Sequence, residues 1–344
     1  MSVLQDLIVK FNSKKNAELY TRIIKEIQSA EKIWTAFSDA SNNYYLGNVN
    51  GSATAYLFSE KDFFDIFYVH EKQKGYDVRS AENPAEYRMA LLADLYRSGF
   101  ETIIIDSGQT YLKMSLFDII KKPQEQTDNK DTRLIVNPSL VRTACWFFQE
   151  NAKEPANEEM WKLLFTEIFK AEYIVPADTR NLKIDGVKSG KIKLGKNSEV
   201  SFPVLQNSEG KSYYPFFTDW NELRKYDMNS NYSVLAANFK DLQRFAGKAD
   251  GIVINPYGAN IILTSDMLND IKNISLKAEK SKSEIMVGEP KEYPVKMVRA
   301  MSDYFKELQE ISSAYLKLMV KDGNKSYLVA LNYGGKENPT EIYN

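Results

Sequence analysis

Ile103-Ile104-Ile105-Asp106-Ser107-Gly108-Gln109-Thr110-Tyr111-Leu112 and, farther along, Ile252-Val253-Ile254-Asn255-Pro256-Tyr257-Gly258-Ala259-Asn260-Ile261-Ile262-Leu263 share one plan. Each begins with a β-branched run, breaks at Asp or Asn followed by glycine, and returns through apolar residues, the pattern of a strand, a turn and a second strand. Ser115-Leu116-Phe117-Asp118 follows the first and Ser265-Asp266-Met267-Leu268 the second. Upstream, Tyr56-Leu57-Phe58-Ser59-Glu60 answers Tyr214-Pro215-Phe216-Phe217-Thr218. The chain therefore reads as one unit present twice in degenerate form.

The flanking segments repeat as well. Residues 16–28 place Leu19, Ile23, Ile24 and Ile27 on one helical face, and residues 160–169 form a second amphipathic helix. Ile33-Trp34-Thr35-Ala36-Phe37 alternates as a strand, and Glu172-Tyr173-Ile174-Val175-Pro176-Ala177 takes the same place later. Tyr44-Tyr45-Leu46 and residues 53–58 continue as strands around the turn signal Asn50-Gly51. Ser59 is placed to cap a helix, with Asp62 near the reciprocal position and Phe63, Phe64, Ile66 and Phe67 on its apolar face. Residues 84–98 read as one helix with Met89, Leu91, Leu92, Leu95 and Tyr96 inward, ending at Gly99. Asn137-Pro138 opens another, with asparagine as cap and Leu140, Val141, Ala144, Cys145 and Phe148 on a docking face. In the second half, strands at 191–195, 201–205 and 211–217 precede helices at 219–226 and 238–245, with an extended piece at 232–235 between those helices. Beyond these, residues 285–287 lead through Gly288-Glu289-Pro290-Lys291-Glu292-Tyr293-Pro294 into a helix reaching about residue 308. Residues 312–320 and 326–333 then form a hairpin about Asp322-Gly323-Asn324, and Asn338-Pro339 looks like a further helix start.

Strands followed by helices and more strands indicate an α+β fold, with duplicated mixed or antiparallel sheet units, packed helices and a smaller C-terminal α+β domain. The expected division is 1–120, a polar linker at 121–136 around Pro123, 137–271, a lysine-rich linker at 272–284, and 285–344.

Composition narrows the function. The 344 residues are 43% hydrophobic and 26% charged, ordinary for a globular protein of two or three domains. With 45 basic against 46 acidic residues there is no net field to draw the chain onto nucleic acid or an anionic membrane, and neither partner is expected. Residues 1–15 lack an unbroken apolar signal segment, and no run approaches the length of a membrane span. Cys145 is the only cysteine, which excludes an intramolecular disulfide and a thiolate metal cluster and fits a cytoplasmic setting.

The second half and the C-terminal part resemble the SseB family, named for an enhanced serine sensitivity phenotype. Tyr173-Ile174-Val175-Pro176, Tyr214-Pro215-Phe216-Phe217-Thr218 and Gly251-Ile252-Val253-Ile254-Asn255-Pro256-Tyr257-Gly258 look like its N-terminal domain. Gly288-Glu289-Pro290-Lys291-Glu292-Tyr293-Pro294 with Ala314-Tyr315-Leu316 looks like its C-terminal domain, which the resemblance implies is clipped here. The first copy departs from the pattern at Trp34-Thr35-Ala36 and Asp106-Ser107. The resemblance implies no catalytic residues, because none are established for the family.

Few residues point to chemistry. His70, the only histidine, stands among charges with no nucleophile nearby and reads as an exposed helix-end or loop residue. Cys145 reads as a buried small hydrophobe rather than a nucleophile. Asp106 and Gln109 either form a polar tip or serve the turn. Phe63, Phe64, Ile66 and Phe67 are either a ligand box or core, and core is the better reading. Glu289 and Glu292 are an acid–base pair, a hard-metal site or, preferably, helix-entry residues. The lysines of 272–284 alternate with Glu279 and Glu284 and read as a solvated connector rather than a nucleic-acid arm. No phosphate-binding glycine loop is present. No catalytic, cofactor or metal residue is assigned and no cofactor is expected. A non-catalytic module that binds a protein partner through exposed aromatic residues is favoured, with a metabolite sensor or enzyme whose site lies between domains as the alternative.

Overall fold

Residues 1–15, where apolar and polar residues alternate, hold a helix that this alternation did not reveal: α1 (Val3–Ser13). In the computed structural model, which describes residues 2–49, 52–122, 134–180, 184–188, 191–194, 200–229, 231–280, 286–290, 293–308, 310–321 and 324–334, α1 pairs with α2 (Ala17–Ser29). Asn16 starts α2 by accepting the Leu19 amide on its side chain at 2.7 Å. Leu4, Leu7 and Ile8 pack with Ile23 and Ile27 in one core. The chain forms two compact units, Met1–Ser275 and Leu276–Asn344.

The first sheet comprises β1 (Lys32–Ser38), β2 (Asn43–Tyr44), β3 (Gly47–Val49), β4 (Ser52–Phe58), β5 (Val78–Pro84), β6 (Thr102–Ile105) and β7 (Leu112–Ser115). Its main path runs β5-β1-β4-β6-β7, and only β4 and β6 are parallel. The parallel pair requires a crossover. It is supplied by α3 (Lys61–Gln73), β5 and α4 (Arg88–Arg97). One sheet face carries Ala55, Leu57, Ile103 and Ile105 into the core under α1, α2 and α4, while Ala36 and Phe58 meet Phe64 and Phe67 of α3.

The second half repeats this order with α5 (Pro138–Asn151), α6 (Glu158–Lys170), β8 (Tyr173–Ala177), β9 (Ile184–Lys188), β10 (Lys191–Leu194), β11 (Leu205–Gln206), β12 (Ser212–Phe216), α7 (Trp220–Tyr226), β13 (Ser233–Ala237), α8 (Phe239–Ala246), β14 (Gly251–Ile254), β15 (Ile261–Leu263) and α9 (Ser265–Lys280). Paired backbone bonds between Ile174 and Phe217, each 2.9 Å, join β8 to the end of β12. The path is therefore β13-β8-β12-β14-β15, with strand directions matching β5-β1-β4-β6-β7 and β12 parallel to β14. Its core gathers Leu164, Ile168, Tyr173, Phe216, Leu242, Ile252, Ile254 and Leu263.

Several local expectations are corrected. Ser59 does not cap α3: the cap position is Glu60 and makes no side-chain cap bond. Residues 84–98 are not one helix, because Pro84 ends β5, a 3-10 turn covers Ala85–Tyr87, and α4 begins at Arg88, leaving Met89 exposed. Asn137 precedes α5 as expected but its side chain holds the chain elsewhere, donating to the carbonyls of Glu172 and Thr218, both at 2.7 Å. Residues 272–280, read as the start of a connector, continue α9. The turns at Asn50-Gly51 and Asp322-Gly323, most of the 121–136 segment, Glu292 and Asn338-Pro339 lie outside the described residues.

Arg88 is the largest fully buried side chain of the first half. Its guanidinium donates to the carbonyls of Ile27, Ala30 and Asn83 and to the Asn83 side chain, closing the C-terminal end of α2, where helix carbonyls lack partners. Burial depresses its pKa.

The second unit contains β16 (Met286–Gly288), α10 (Val295–Glu307), β17 (Ile311–Lys321) and β18 (Asn324–Tyr333). The strands form an antiparallel sheet in the order β16-β17-β18.

Candidate functional site

The carboxyl ends of the parallel strands place a buried polar clasp in each half. After β6, Asp106 adopts φ 59°, and after β14, Asn255 adopts φ 50°. Both residue types tolerate this left-handed conformation, which turns the chain into the hairpin. The amides of Asp106 and Asn255 each donate at 2.9 Å, to the carbonyls of Leu57 and Phe216. Their side chains then reach the residue that leaves the neighbouring parallel strand. Asp106 accepts the Ser59 amide at 2.7 Å and hydroxyl at 2.8 Å. Asn255 accepts the Thr218 amide at 3.0 Å and donates to its hydroxyl at 2.9 Å. Burial pushes the Asp106 carboxyl up to about 6, against the opposing bonds from Ser59.

On the second half the clasp supports an aromatic surface. Phe217 is buried beside the clasp, and the Tyr226 ring lies 5.5 Å from it. Tyr226 also stacks on Tyr232, at 6.0 Å and 20°, and on Tyr257, at 6.3 Å and 29°. The three tyrosines come from the end of α7, the approach to β13 and the β14–β15 turn. Asp227, buried at the end of α7, holds the intervening loop by accepting the amides of Asn231 and Tyr232 at 2.9 and 3.0 Å. Tyr257 is 53% exposed, Met228 85% and Leu235 46%. Burial and then Tyr232 raise the pKa of Tyr226, so its hydroxyl stays protonated. The surface is aromatic and neutral, with exposed Arg180, paired to Asp178, as a polar neighbour.

A second polar cluster lies where the two halves of the first unit meet. Asp94 of α4 accepts from Tyr44, Arg97 and Asn221, with the Tyr44 and Asn221 bonds both 2.9 Å. Asp219, the cap of α7, and Glu222 within it are buried and both shifted upward, in each case chiefly by burial. Arg97, Ile135, Asp219, Trp220, Asn221 and Arg224 are among the residues lining a cavity of about 200 Å³. Asp219 is already engaged, whereas Glu222 is paired through one oxygen only and its Oε2 is buried with no hydrogen-bond partner among the described residues. Asp219 accepts the amides of Asn221 and Glu222 as the α7 cap, and Glu222 pairs with Lys225 while packing against Gly258. The halves are further joined by Gln149, which exchanges two bonds with the backbone of Leu46 at 2.8 and 3.0 Å. Gly99, at φ +84°, lies so close to Pro138 that a Cβ would meet its carbonyl at 2.3 Å. Of the α5 face read as a docking face, Leu140, Ala144 and Phe148 pack into the core of their own half, while these contacts to the first half come from Pro138 and Gln149.

The residues singled out from sequence separate cleanly. His70 is exposed in the last turn of α3 and contacts Glu71 at 3.1 Å. Cys145 is fully buried and its thiol is pushed up to about 12 by burial, the opposite of an activated nucleophile. Phe64 and Phe67 are core, Phe63 packs against them and Ile66 is exposed. The Gln109 amide closes the turn onto the Asp106 carbonyl at 3.1 Å. Glu289 does not enter α10, which has no acidic residue in its first turn, and instead pairs with Lys317 of β17. Among the described residues no group of three or more His, Cys, Asp or Glu side chains could hold a metal ion, and no helix is long and apolar enough to cross a membrane. The tyrosine surface and the cluster around Asp94 were not found from sequence. The signal of the tyrosine surface is aromatic residues inside polar turns, at Lys225-Tyr226-Asp227, Asn231-Tyr232-Ser233 and Pro256-Tyr257-Gly258.

Residues 150–270, which contain the β8–β15 sheet and the tyrosine surface, match the SseB protein N-terminal domain, and residues 280–342 match the SseB protein C-terminal domain. The chain belongs to the SseB family. In this SseB-family protein the expected resemblance is thereby met over the second half and the C-terminal unit. No curated protein matches the chain. A solved structure of Tic22 from Plasmodium falciparum is 13% identical, covering 74% of this chain and 98% of its own with a TM-score of 0.16.

Proposed function

We propose that this SseB-family protein is a non-catalytic binding module that takes a protein partner on the Tyr226, Tyr232 and Tyr257 surface. The observation that carries the reading is the three-ring stack, kept in place by the buried Asp227 and Asn255 and open to solvent at Tyr257. Tyrosines present large contact area at small loss of side-chain freedom and are enriched where interfaces concentrate their energy. A row of nearly parallel rings suits an extended apolar or proline-containing segment laid across it. We further infer that residues 1–120 are a diverged copy of the SseB N-terminal unit, supported by the shared strand path and the paired clasps. A cytoplasmic setting accords with the single buried cysteine.

The test is binding of a proline-rich and aromatic peptide library to the whole chain. Tyr257→Ala and Tyr226→Ala are expected to weaken the selected peptides at least about tenfold, the loss typical of an aromatic anchor. Peptides that bind equally to both variants would remove the surface from the function. The second reading, a small-molecule sensor or enzyme, is favoured by the cavity with Arg97 and Arg224 in its wall. Against it, that cavity is smaller than the roughly 300 to 1,000 Å³ of ordinary ligand sites and its buried acid is a helix cap. A thermal-shift panel of amino acids, nucleotides and divalent metals decides between them. A saturable shift lost in Arg97→Gln would favour the sensor.

A further inference from the structure

We propose that β18 is a homodimerisation edge, pairing antiparallel with β18 of a second copy of this chain about Val329. Three observations carry this, and none involves the tyrosine surface.

First, the described residues of the second unit form no finished core. The described strands β16, β17 and β18 and the helix α10 expose part of every side chain whose burial is described, including the apolar Val298, Phe305, Leu316, Leu318, Val329 and Leu331. An open groove of about 290 Å³ runs between α10 and the sheet, with Met301, Phe305, Leu316 and Val329 in its wall. A sheet this small with so little buried needs further apolar contact for stability.

Second, β18 is a ten-residue edge. Among the described strands of its sheet it pairs with β17 alone. Long edges are normally blunted by charges, proline or a bulge. In Asn-Lys-Ser-Tyr-Leu-Val-Ala-Leu-Asn-Tyr the only charge is Lys325, there is no proline, and the irregularity in the ladder falls at the far end, between Ile311 and Ser313.

Third, the strand complements itself. Antiparallel pairing of identical strands is a closed two-fold contact, which cannot run on into a fibre. Centring it on Val329 sets Ser326 opposite Asn332 and the single Lys325 opposite Tyr333, so no like charges meet. Directly opposed residues share a sheet face. Val329 lies on the face that Leu316 shares and that α10 covers, so both helices fall on one side of a merged six-stranded sheet. The occupant that continues the apolar face on both sides of the edge is thus another copy of the same unit.

Sedimentation equilibrium of the full chain tests this, together with two double variants at exposed positions whose β17 partners, Met319 and Ser313, are uncharged. The wild-type chain is expected to reach twice the monomer mass in the micromolar range. Ser326→Lys with Asn332→Lys sets like charges opposite each other at both ends of the contact and should weaken the dimer about tenfold. Ser326→Lys with Asn332→Glu sets opposite charges there and should keep the wild-type dissociation constant within about threefold. Circular dichroism confirms that both variants fold. A wild-type chain that stays monomeric to about 100 μM overturns the proposal, as does a dimer that responds equally to the two variants or to neither.

Discussion

Replacing Asp106 by Asn should stabilise the first unit at neutral pH and leave it little changed in acid. Asp106 is fully buried and its carboxyl is pushed from 3.8 up to about 6 by burial. The folded chain therefore holds this proton more tightly than the unfolded chain, so stability falls as pH rises from about 4 to about 6, and the loss is complete above that window. A difference of about two pH units corresponds to roughly 3 kcal/mol at neutral pH. The second half shows that the substitution fits. Asn255 holds the same left-handed turn, accepts the Thr218 amide and reverses the hydroxyl bond by donating to it. Ser59 can accept as Thr218 does, since its hydroxyl both donates and accepts. The four tryptophans, Trp34, Trp146, Trp161 and Trp220, all lie in the first unit, so fluorescence-detected urea unfolding reports on it. Subtracting wild type from variant removes every other titrating group. The difference should be small at pH 4, climb to about 3 kcal/mol by pH 7 and then level off. A difference that does not vary with pH, or a variant less stable than wild type at pH 7.5, would refute the reasoning.

The reciprocal change, Asn255→Asp, should destabilise the second half by a similar amount of about 3 kcal/mol at pH 7 and be relieved as pH falls through 6, read by the same unfolding curves. Arg88→Leu should cost about 3 kcal/mol or more, because the carbonyls of Ile27, Ala30 and Asn83 lose their donor inside the protein. Its hydrogen-exchange signature is selective loss of protection in the last turn of α2. Gly99→Ala should cost about 2 kcal/mol or more, since the left-handed backbone and the Pro138 carbonyl both oppose a Cβ. Pairing it with a loosened α5 contact, Gln149→Ala, should give a non-additive sum in the unfolding midpoint.

The two hairpins, the amphipathic helices α2 and α6, the β17–β18 ladder and the SseB resemblance were legible in the sequence because each is written in local periodicity and turn chemistry. Two of the readings that failed are of a polar residue with a distant partner. Ser59 has the chemistry of a cap, but Asp106 lies 47 residues away in sequence and within hydrogen-bond reach in space. Asn137 likewise binds Glu172 and Thr218 instead of its own helix. Position 84 can begin a helix or end a strand by its residue alone, and pairing of β5 with β1 decided for the strand.

The candidate surfaces divide along the same line. Composition, a lone cysteine and the absence of a phosphate loop were enough to narrow the chemistry. Which tyrosines share a stack, which acids lie buried between the halves and which strand is left at an edge depended on packing. Tyr226, Tyr232 and Tyr257 sit in three separate loops whose polar neighbours carry no shared period, and only closure of the β8–β15 sheet sets their rings side by side. Local sequence thus determined the strands, helices and turns through hydrogen bonding and amphipathicity within a few residues. Tertiary structure decided the clasps, the seam and the exposed faces, because desolvation and ring stacking depend on what else occupies the same volume.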